Sequence, residues 1–302
     1  MKSHGLFFLM GVIPLMVIGC MKNRPGEEKD ATVQAAKKVT VAAIRVTWGK
    51  GVDEQPEQTI GRGLDMAEEA AMMGARYIIL PENFLHTDRK ADQTIPGPLT
   101  DRVVEIARQH NVYILTGMVE SERSRSRTRP DEWDDFLSAV LIGPEGIIGV
   151  HRKVDIVINP MAPNWRRDHP KTDMNVWGGD DFKMYQAGEI ERIAIMICRD
   201  ARTNWAWTRV LSQDPKILFS PNLRSSITKY GADFPAMAKK YGLPIVAADG
   251  HPESESMIID RDGSILDMET AADRILIGEV TLADDHPGYT TFEVVHNDNN
   301  PG

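Results

Sequence analysis

The sequence predicts an α/β fold in which two mixed sheets pack face to face, with helices outside. Short apolar segments rich in β-branched residues alternate with segments of helical periodicity. The order β-α-β-α-β-β occurs twice along the chain, once in each half. Two such units suggest two mixed sheets, each of which buries one face against the other sheet and the opposite face under its helices. The 302 residues, 26% of them charged and 42% hydrophobic, are typical of a globular protein and exclude a disordered chain.

The first half contains the strands of one predicted sheet. Strands are predicted where short β-rich runs end at Gly, Pro or a turn, at 39–46, 77–80 and 112–115, with a hairpin of 137–142 and 147–150. A helix is predicted over 58–73, because apolar residues recur there at helical spacing. Thr100 is the expected cap of a second helix.

The second half repeats this order. Its predicted strands are 193–197, 217–219, 245–248, a hairpin of 257–259 and 265–266, and a last strand at 275–280. Helices are predicted over 205–211 and through 236–241. The polar residues 286–302 are expected to form a loose C-terminal tail.

The N-terminus is predicted to be an export signal. Residues 1–19 hold an apolar core of 14 residues, which suits a secretory signal better than a membrane span. The sequence Val-Ile-Gly-Cys at 17–20 resembles the bacterial lipoprotein cleavage box, which implies lipid attachment to Cys20. Polar residues 20–37 would then tether an exported domain to a bacterial membrane. A plain signal peptide or an uncleaved anchor remains the alternative.

Composition excludes several classes of function. The 35 Lys and Arg against 44 Asp and Glu give a net charge of -9, which argues against a nucleic-acid partner. Two cysteines exclude a disulfide-rich scaffold and a four-cysteine metal site. The eight histidines lack metal-ligand spacing, and no G-x-S-x-G turn of a serine hydrolase occurs. A metal hydrolase and a serine hydrolase are therefore disfavoured.

Three reactive side chains each follow an apolar strand. Glu82 follows Tyr-Ile-Ile-Leu-Pro, Lys153 follows the second strand of the first hairpin, and Cys198 follows Ile-Ala-Ile-Met-Ile. Loops at strand ends are held by a rigid sheet, so active sites often lie there. A thiol can act as nucleophile, a carboxylate can take its proton, and an ammonium can stabilise an oxyanion. Taken singly, each residue is also compatible with a solvated loop charge or, for Cys198, a buried structural thiol.

This order of Glu, Lys and Cys resembles the nitrilase superfamily of carbon–nitrogen hydrolases. The settings are Leu-Pro-Glu-Asn around Glu82, His-Arg-Lys-Val around Lys153 and Ile-Cys-Arg-Asp around Cys198. The resemblance implies a four-layer αββα sandwich over residues 38–285, in a homodimer or larger homo-oligomer. It implies Glu82 as general base and acid, Lys153 and the backbone N–H of Arg199 as oxyanion support, and Cys198 as the acylated nucleophile. It also implies a reaction that needs no metal or organic cofactor.

Departures from that family concern mainly a second acid. Where the family often has a further Glu before the Cys strand, this chain has Asp181, with Asp180 beside it. Asp181 is thus the candidate partner of Lys153, with an ordinary loop acid as the alternative. A late strand-end Asn is replaced by Asp249, and the usual Arg-Ala-x-Glu helix entry by Pro-Ala-Met-Ala at 235–238.

The expected function is hydrolysis of a small amide or N-carbamoyl compound through a cysteine thioester. Asp200, two residues after Cys198, resembles the amidase and carbamoylase branches more than true nitrilases. Arg166 or Arg167, in the long segment 159–173, could bind a substrate carboxylate, although a solvated basic loop is also compatible with this segment. Two alternatives remain: a non-catalytic binding lipoprotein that keeps the fold, and an acyltransferase in which an amine intercepts the thioester.

Overall fold

The computed structural model describes residues 36–48, 54–123, 132–155, 176–223, 232–285 and residue 295. The predicted signal peptide, Cys20 and most of the tether lie outside these residues, as does the segment with Arg166 and Arg167. The described residues form one compact unit. In the part of the chain described, no helix is both long and apolar enough to cross a bilayer.

The first sheet has seven strands. Its order is β13-β1-β2-β3-β4-β5, and β6 pairs with β4 beyond the end of β5. β1, β2 and β3 run parallel to one another, the pairs β13–β1, β3–β4 and β4–β5 are antiparallel, and the short β6 runs parallel to β4. The strands are β1 Lys38–Arg45, β2 Tyr77–Ile79, β3 Tyr113–Arg123, β4 Trp133–Gly143, β5 Gly146–Arg152, β6 Val176–Trp177 and β13 Arg274–Thr281.

The second sheet has six strands in the order β12-β11-β10-β9-β8-β7. Its centre, β8, β9 and β10, is parallel, so the ends of these three strands meet at one edge. The strands are β7 Tyr185–Ala187, β8 Ile190–Ile195, β9 Ile217–Asn222, β10 Ile245–Asp249, β11 Ser256–Ile259 and β12 Ile265–Glu269.

Helices cover the outer face of each sheet, which gives four layers. Helices α1 (Pro56–Met72) and α2 (Pro98–His110) share an apolar cluster with the first sheet, and α3 (Asn204–Leu211) and α4 (Phe234–Tyr241) share one with the second. A third cluster, which includes Leu115, Ile195 and Phe219, lies between the sheets. Non-directional apolar burial therefore joins the two sheets. The expected αββα sandwich is the observed architecture.

Most predicted elements occur, but three details differ. Helix α2 begins at Pro98, so Thr100 is not its cap; the Thr100 hydroxyl instead lies within hydrogen-bond distance of the Gly97 backbone inside the first turn. The short strands β6 and β7 were not predicted, because two or three residues carry no readable periodicity. In the C-terminal tail, Val295 packs against the α4 cluster and its carbonyl accepts the Asp233 N–H at 2.9 Å, so at this residue the tail is docked.

Candidate active site

Glu82 is held at the end of β2 by contacts with both sheets. Its N–H donates to the carbonyl of Asn222, the last residue of β9, at 3.2 Å. On the other side, the Gly117 N–H of β3 donates to the Pro81 carbonyl at 3.1 Å. A Cβ at Gly117 would lie 2.5 Å from the Glu82 Cα, so only glycine permits this approach. Glu82 is 4% exposed, which makes it a buried acid and not a solvated one.

Lys153 directly follows β5 and points to Glu82. Its N–H donates to the Leu137 carbonyl at 2.7 Å, and its carbonyl accepts the Gly179 N–H at 2.9 Å, so the backbone is fixed on both sides. Its Nζ lies 2.6 Å from Glu82 Oε1 in an ion pair whose side chains are 9% and 5% exposed. The tertiary structure thus brings together two side chains that are 71 residues apart.

Cys198 follows β8 in the second sheet and begins a short 3₁₀ turn, Cys198–Arg202. The thiol is buried at the edge of the cluster between the sheets. Its φ of 49° lies in the left-handed region, and Asn83, which follows Glu82, has a φ of 55°. Residues other than glycine adopt this conformation at a cost, and such strain often marks functional sites. In this protein the left-handed conformation occurs at Cys198 itself and at Asn83, the residue after Glu82.

The charges of the site converge on Lys153. Burial alone would lower the pKa of its ammonium, but the nearby charges of Glu82, Cys198 and Asp200 outweigh this, so the pKa is raised above the ordinary lysine value. The Lys153 loop and the Cys198 turn are joined through Asp200, whose carboxylate accepts the N–H groups of Val154 and Ile197. The structure thus pairs Glu82 with Lys153 and links their site to the buried Cys198 turn, and these residues offer a base, a cation and a nucleophile.

Asp181 does not lie with these residues. Its carboxylate pairs with the Arg209 guanidinium of α3, and the two side chains are 37% and 48% exposed. The hydrogen bonds from Arg209 hold the pKa of Asp181 below its usual range. The acid that acts on Lys153 besides Glu82 is Asp200, which is fully buried. Sequence reasoning noted Asp200 only as a mark of a family branch; its position two residues after the nucleophile was the signal available.

The remaining candidates lie near the site or apart from it. Arg199 follows Cys198 in the turn, and its guanidinium Nε lies 3.4 Å from Asp155 Oδ1. Asp249 is buried at the end of β10, where it accepts hydrogen bonds from the His251 N–H and the Ser254 hydroxyl. Among the described residues, no group of three or more His, Cys, Asp or Glu side chains is arranged to hold a metal.

A separate cavity of about 810 Å³ is lined by parts of β3, β4 and β5. Arg152 lies in it, paired with Glu120 and Glu122 and stacked 3.5 Å above the Phe136 ring. Successive side chains of an extended chain point to opposite faces, so the side chains of Arg152 and Lys153 point to different sides of the sheet. None of the three predicted catalytic residues lines this cavity.

Comparison with known proteins gives the family. The sequence profile of the carbon–nitrogen hydrolases matches residues 40–285. A nitrilase of Pyrococcus abyssi is 30% identical over 113 residues, which is 34% of this chain and 39% of that protein. An omega-amidase of Xenopus tropicalis is 24% identical over 152 residues, or 48% of this chain and 50% of that protein. The matches thus span half or less of these relatives' length.

Solved structures show the same fold. An amidase from Nesterenkonia sp. AN1 superposes with a TM-score of 0.60 at 14% identity, covering 82% of this chain and 92% of that one. A carbon–nitrogen hydrolase from Helicobacter pylori G27 superposes with a TM-score of 0.59 at 15% identity, covering 81% and 89%. With the family profile over most of the domain and this shared architecture, the chain belongs to the carbon–nitrogen hydrolases of the nitrilase superfamily.

Proposed function

We propose that this protein hydrolyses a small amide or N-carbamoyl compound through a thioester on Cys198. The observation that carries the proposal is the buried Glu82–Lys153 ion pair at 2.6 Å, whose lysine loop is hydrogen-bonded through Asp200 to the turn that holds Cys198. A buried ion pair is costly to desolvate, and the linked turn holds its cysteine at a φ of 49°. The free energy spent on burying these two charges is accounted for if they act on a substrate.

Each residue of the site has its own role in the proposed reaction. Glu82 takes the thiol proton while the sulfur of Cys198 bonds to the carbonyl carbon of the amide. The negative charge that forms on the carbonyl oxygen is stabilised by the Lys153 ammonium and the Arg199 backbone N–H. Glu82 then gives its proton to the leaving nitrogen as the C–N bond breaks, which leaves a thioester and free amine or ammonia. Water, deprotonated by Glu82, attacks the thioester and releases the acid and the thiol.

A neighbour's chemistry supports the choice of nucleophile. A Glu→Gln point mutant of the Nesterenkonia amidase carries the acetamide moiety of fluoroacetamide covalently at its active-site cysteine. Fluoroacetamide is therefore the probe to use on this chain. In a Cys20→Ala background Cys198 is the only thiol, because the chain has two cysteines. We expect an acetamide adduct on this variant, found by intact mass, and none when Cys198 is also replaced by Ala.

Turnover is tested with a panel of amides, N-carbamoyl compounds and nitriles, with ammonia release as the readout. We expect release from at least one amide or N-carbamoyl compound and none with Cys198→Ala. Absence of release from every compound, with the adduct still forming, would favour a non-catalytic binding protein. A hydroxamate or other amide product that outpaces the free acid when an amine is added would favour an acyltransferase.

We further propose that the chain is exported and tethered to a bacterial membrane through lipid on Cys20, as a homodimer or larger homo-oligomer. The support is the apolar core of residues 1–19, the Val-Ile-Gly-Cys box and the polar tether. Labelling of the expressed full chain with a palmitate analogue, with Cys20→Ala as control, tests the anchor. Light scattering of the detergent-solubilised protein tests the oligomer, and a monomer would contradict it.

A further inference from the structure

Asp200 connects the two loops that carry Lys153 and Cys198. Its carboxylate is fully buried, and Oδ1 accepts the N–H of Val154 at 3.1 Å and of Asp155 at 2.7 Å. Its other oxygen, Oδ2, accepts the N–H of Ile197 at 3.0 Å. The first two donors directly follow Lys153, and the third directly precedes Cys198. One carboxylate therefore holds both loops at the residues next to their reactive side chains.

The two loops belong to different sheets. Lys153 follows β5 of the first sheet and Cys198 follows β8 of the second, and apolar packing joins these sheets. Such packing is non-directional and does not by itself fix the position of one strand end against another. Hydrogen bonds from N–H groups to an ionised carboxylate are short and directional. The three bonds to Asp200 supply the fixed distance that the packing alone does not.

Asp200 also closes the turn in which Cys198 lies. The Ile197 N–H donates to the Asp200 side chain, and the Asp200 N–H donates back to the Ile197 carbonyl at 3.0 Å. Cys198, between them, has the φ of 49° that a residue with a side chain adopts only when its surroundings impose it. These two reciprocal bonds are what impose it here.

We propose that Asp200 is a positioning residue that fixes the ammonium of Lys153 relative to the thiol of Cys198. This inference rests on the proposed hydrolase function. In the described part of the chain, the charged and titratable groups that face Asp200 include Lys153, whose pKa it helps to raise, and the buried His151, whose Nε2 lies 3.6 Å from Oδ2, beyond hydrogen-bond distance. The hydrogen-bond donors to its carboxylate there are backbone N–H groups next to the reactive residues, so Asp200 acts through them and not on the substrate.

The test is the isosteric change Asp200→Asn in the full chain. One end of an amide cannot accept a hydrogen bond, so at least one of the two loops is released. We expect kcat to fall on the order of 100-fold with KM unchanged within about two-fold, because misplaced groups slow the chemical step. Loss of the carboxylate charge should also lower the pKa of Lys153, so the alkaline limb of kcat against pH moves to lower pH. Asp262→Asn, in the exposed hairpin turn between β11 and β12, is the matched control and should change neither.

A wild-type kcat and an unmoved alkaline limb in Asp200→Asn would overturn the inference while the proposed function stands. If the wild type releases no ammonia, the proposed function fails instead, and the rate of Cys198 alkylation by iodoacetamide against pH still reports on Asp200. Should Asp200→Asn fail to fold by circular dichroism, hydrogen exchange on the wild type decides. The amides of Val154, Asp155 and Ile197 should exchange far more slowly than Ser264, whose N–H also bonds an aspartate but is exposed. Equal rates would overturn the inference.

Discussion

Two ion pairs of this protein each join a carboxylate to a cationic side chain, but their exposure to solvent differs greatly. Glu82 and Lys153 lie 2.6 Å apart with side chains 5% and 9% exposed, whereas Asp181 and Arg209 pair at the surface with 37% and 48% exposed. An exposed pair is screened by water and contributes little to stability. A buried pair cannot lose one partner without leaving an uncompensated charge. The difference teaches that burial, and not the presence of an acid beside a cation, distinguishes a candidate catalytic pair.

The largest expected effect tests the buried pair. Lys153→Met removes the ammonium and leaves the Glu82 carboxylate buried, which should lower the free energy of unfolding by about 3–5 kcal/mol. Loss of the oxyanion support should reduce kcat on the order of 100–1000-fold. Urea unfolding and ammonia release measure the two effects.

A double variant provides the control for this change. Glu82→Gln combined with Lys153→Met leaves no unpaired charge, so part of the lost stability should return while activity does not. If Lys153→Met alone unfolds at the wild-type urea concentration, the pair is not buried as described.

A smaller effect is expected at the glycine that supports Glu82. A Cβ at Gly117 would lie 2.3 Å from the Pro81 carbonyl oxygen and 2.5 Å from the Glu82 Cα, both of them backbone atoms. Gly117→Ala should therefore shift Glu82, reduce kcat and cost about 1–3 kcal/mol of stability. Gly61→Ala is the matched control, because nothing lies within 4 Å of its added Cβ in α1. The control should gain about 0.5–1 kcal/mol and keep full activity, as urea unfolding and ammonia release can show.

The pH dependence of the free energy of unfolding is a further test of the buried Glu82–Lys153 pair. The folded state raises the pKa of Lys153, so its protonated form is favoured by folding. The resulting stability is fully present below the unfolded lysine pKa of about 10.4 and is lost as pH rises through the higher folded value. The stability difference between the wild type and the Glu82→Gln, Lys153→Met double variant, which leaves no unpaired Glu82 carboxylate, should thus stay constant from about pH 7 to about pH 9. Urea unfolding at several pH values tests this, and a decrease of the difference below about pH 9 would contradict the raised pKa.

The smallest effect is expected at the exposed pair. Asp181→Asn removes the carboxylate charge, and water can then solvate the exposed Arg209 guanidinium. We therefore expect kcat and the urea midpoint to match those of the wild type within error. A large loss of kcat with unchanged KM would show that Asp181 reaches Lys153 during the reaction, as the sequence comparison had predicted.

Much of the fold and the main catalytic candidates could be predicted from the sequence. Glu82, Lys153 and Cys198 each follow an apolar run at a strand end, which made them candidates, and their joint order, which resembles the nitrilase superfamily, singled them out. Of the two roles that the sequence left open for Asp181, the structure shows a loop acid paired with Arg209 and not with Lys153; a loop acid has no periodicity that fixes its direction. Thr100 was misassigned for a related reason, since Pro98 begins α2 two residues earlier.

By itself the sequence determined the order of strands and helices, because alternation and helical spacing are local properties. It also determined which strand ends carry the reactive side chains. Which groups meet was decided only by the tertiary structure. The Glu82–Lys153 contact spans 71 residues, and the Lys153 loop meets the Cys198 turn through Asp200 across two sheets. Such contacts depend on how the sheets pack against each other, and hydrophobic patterning specifies that two faces bury each other without specifying which polar groups at their edges come together.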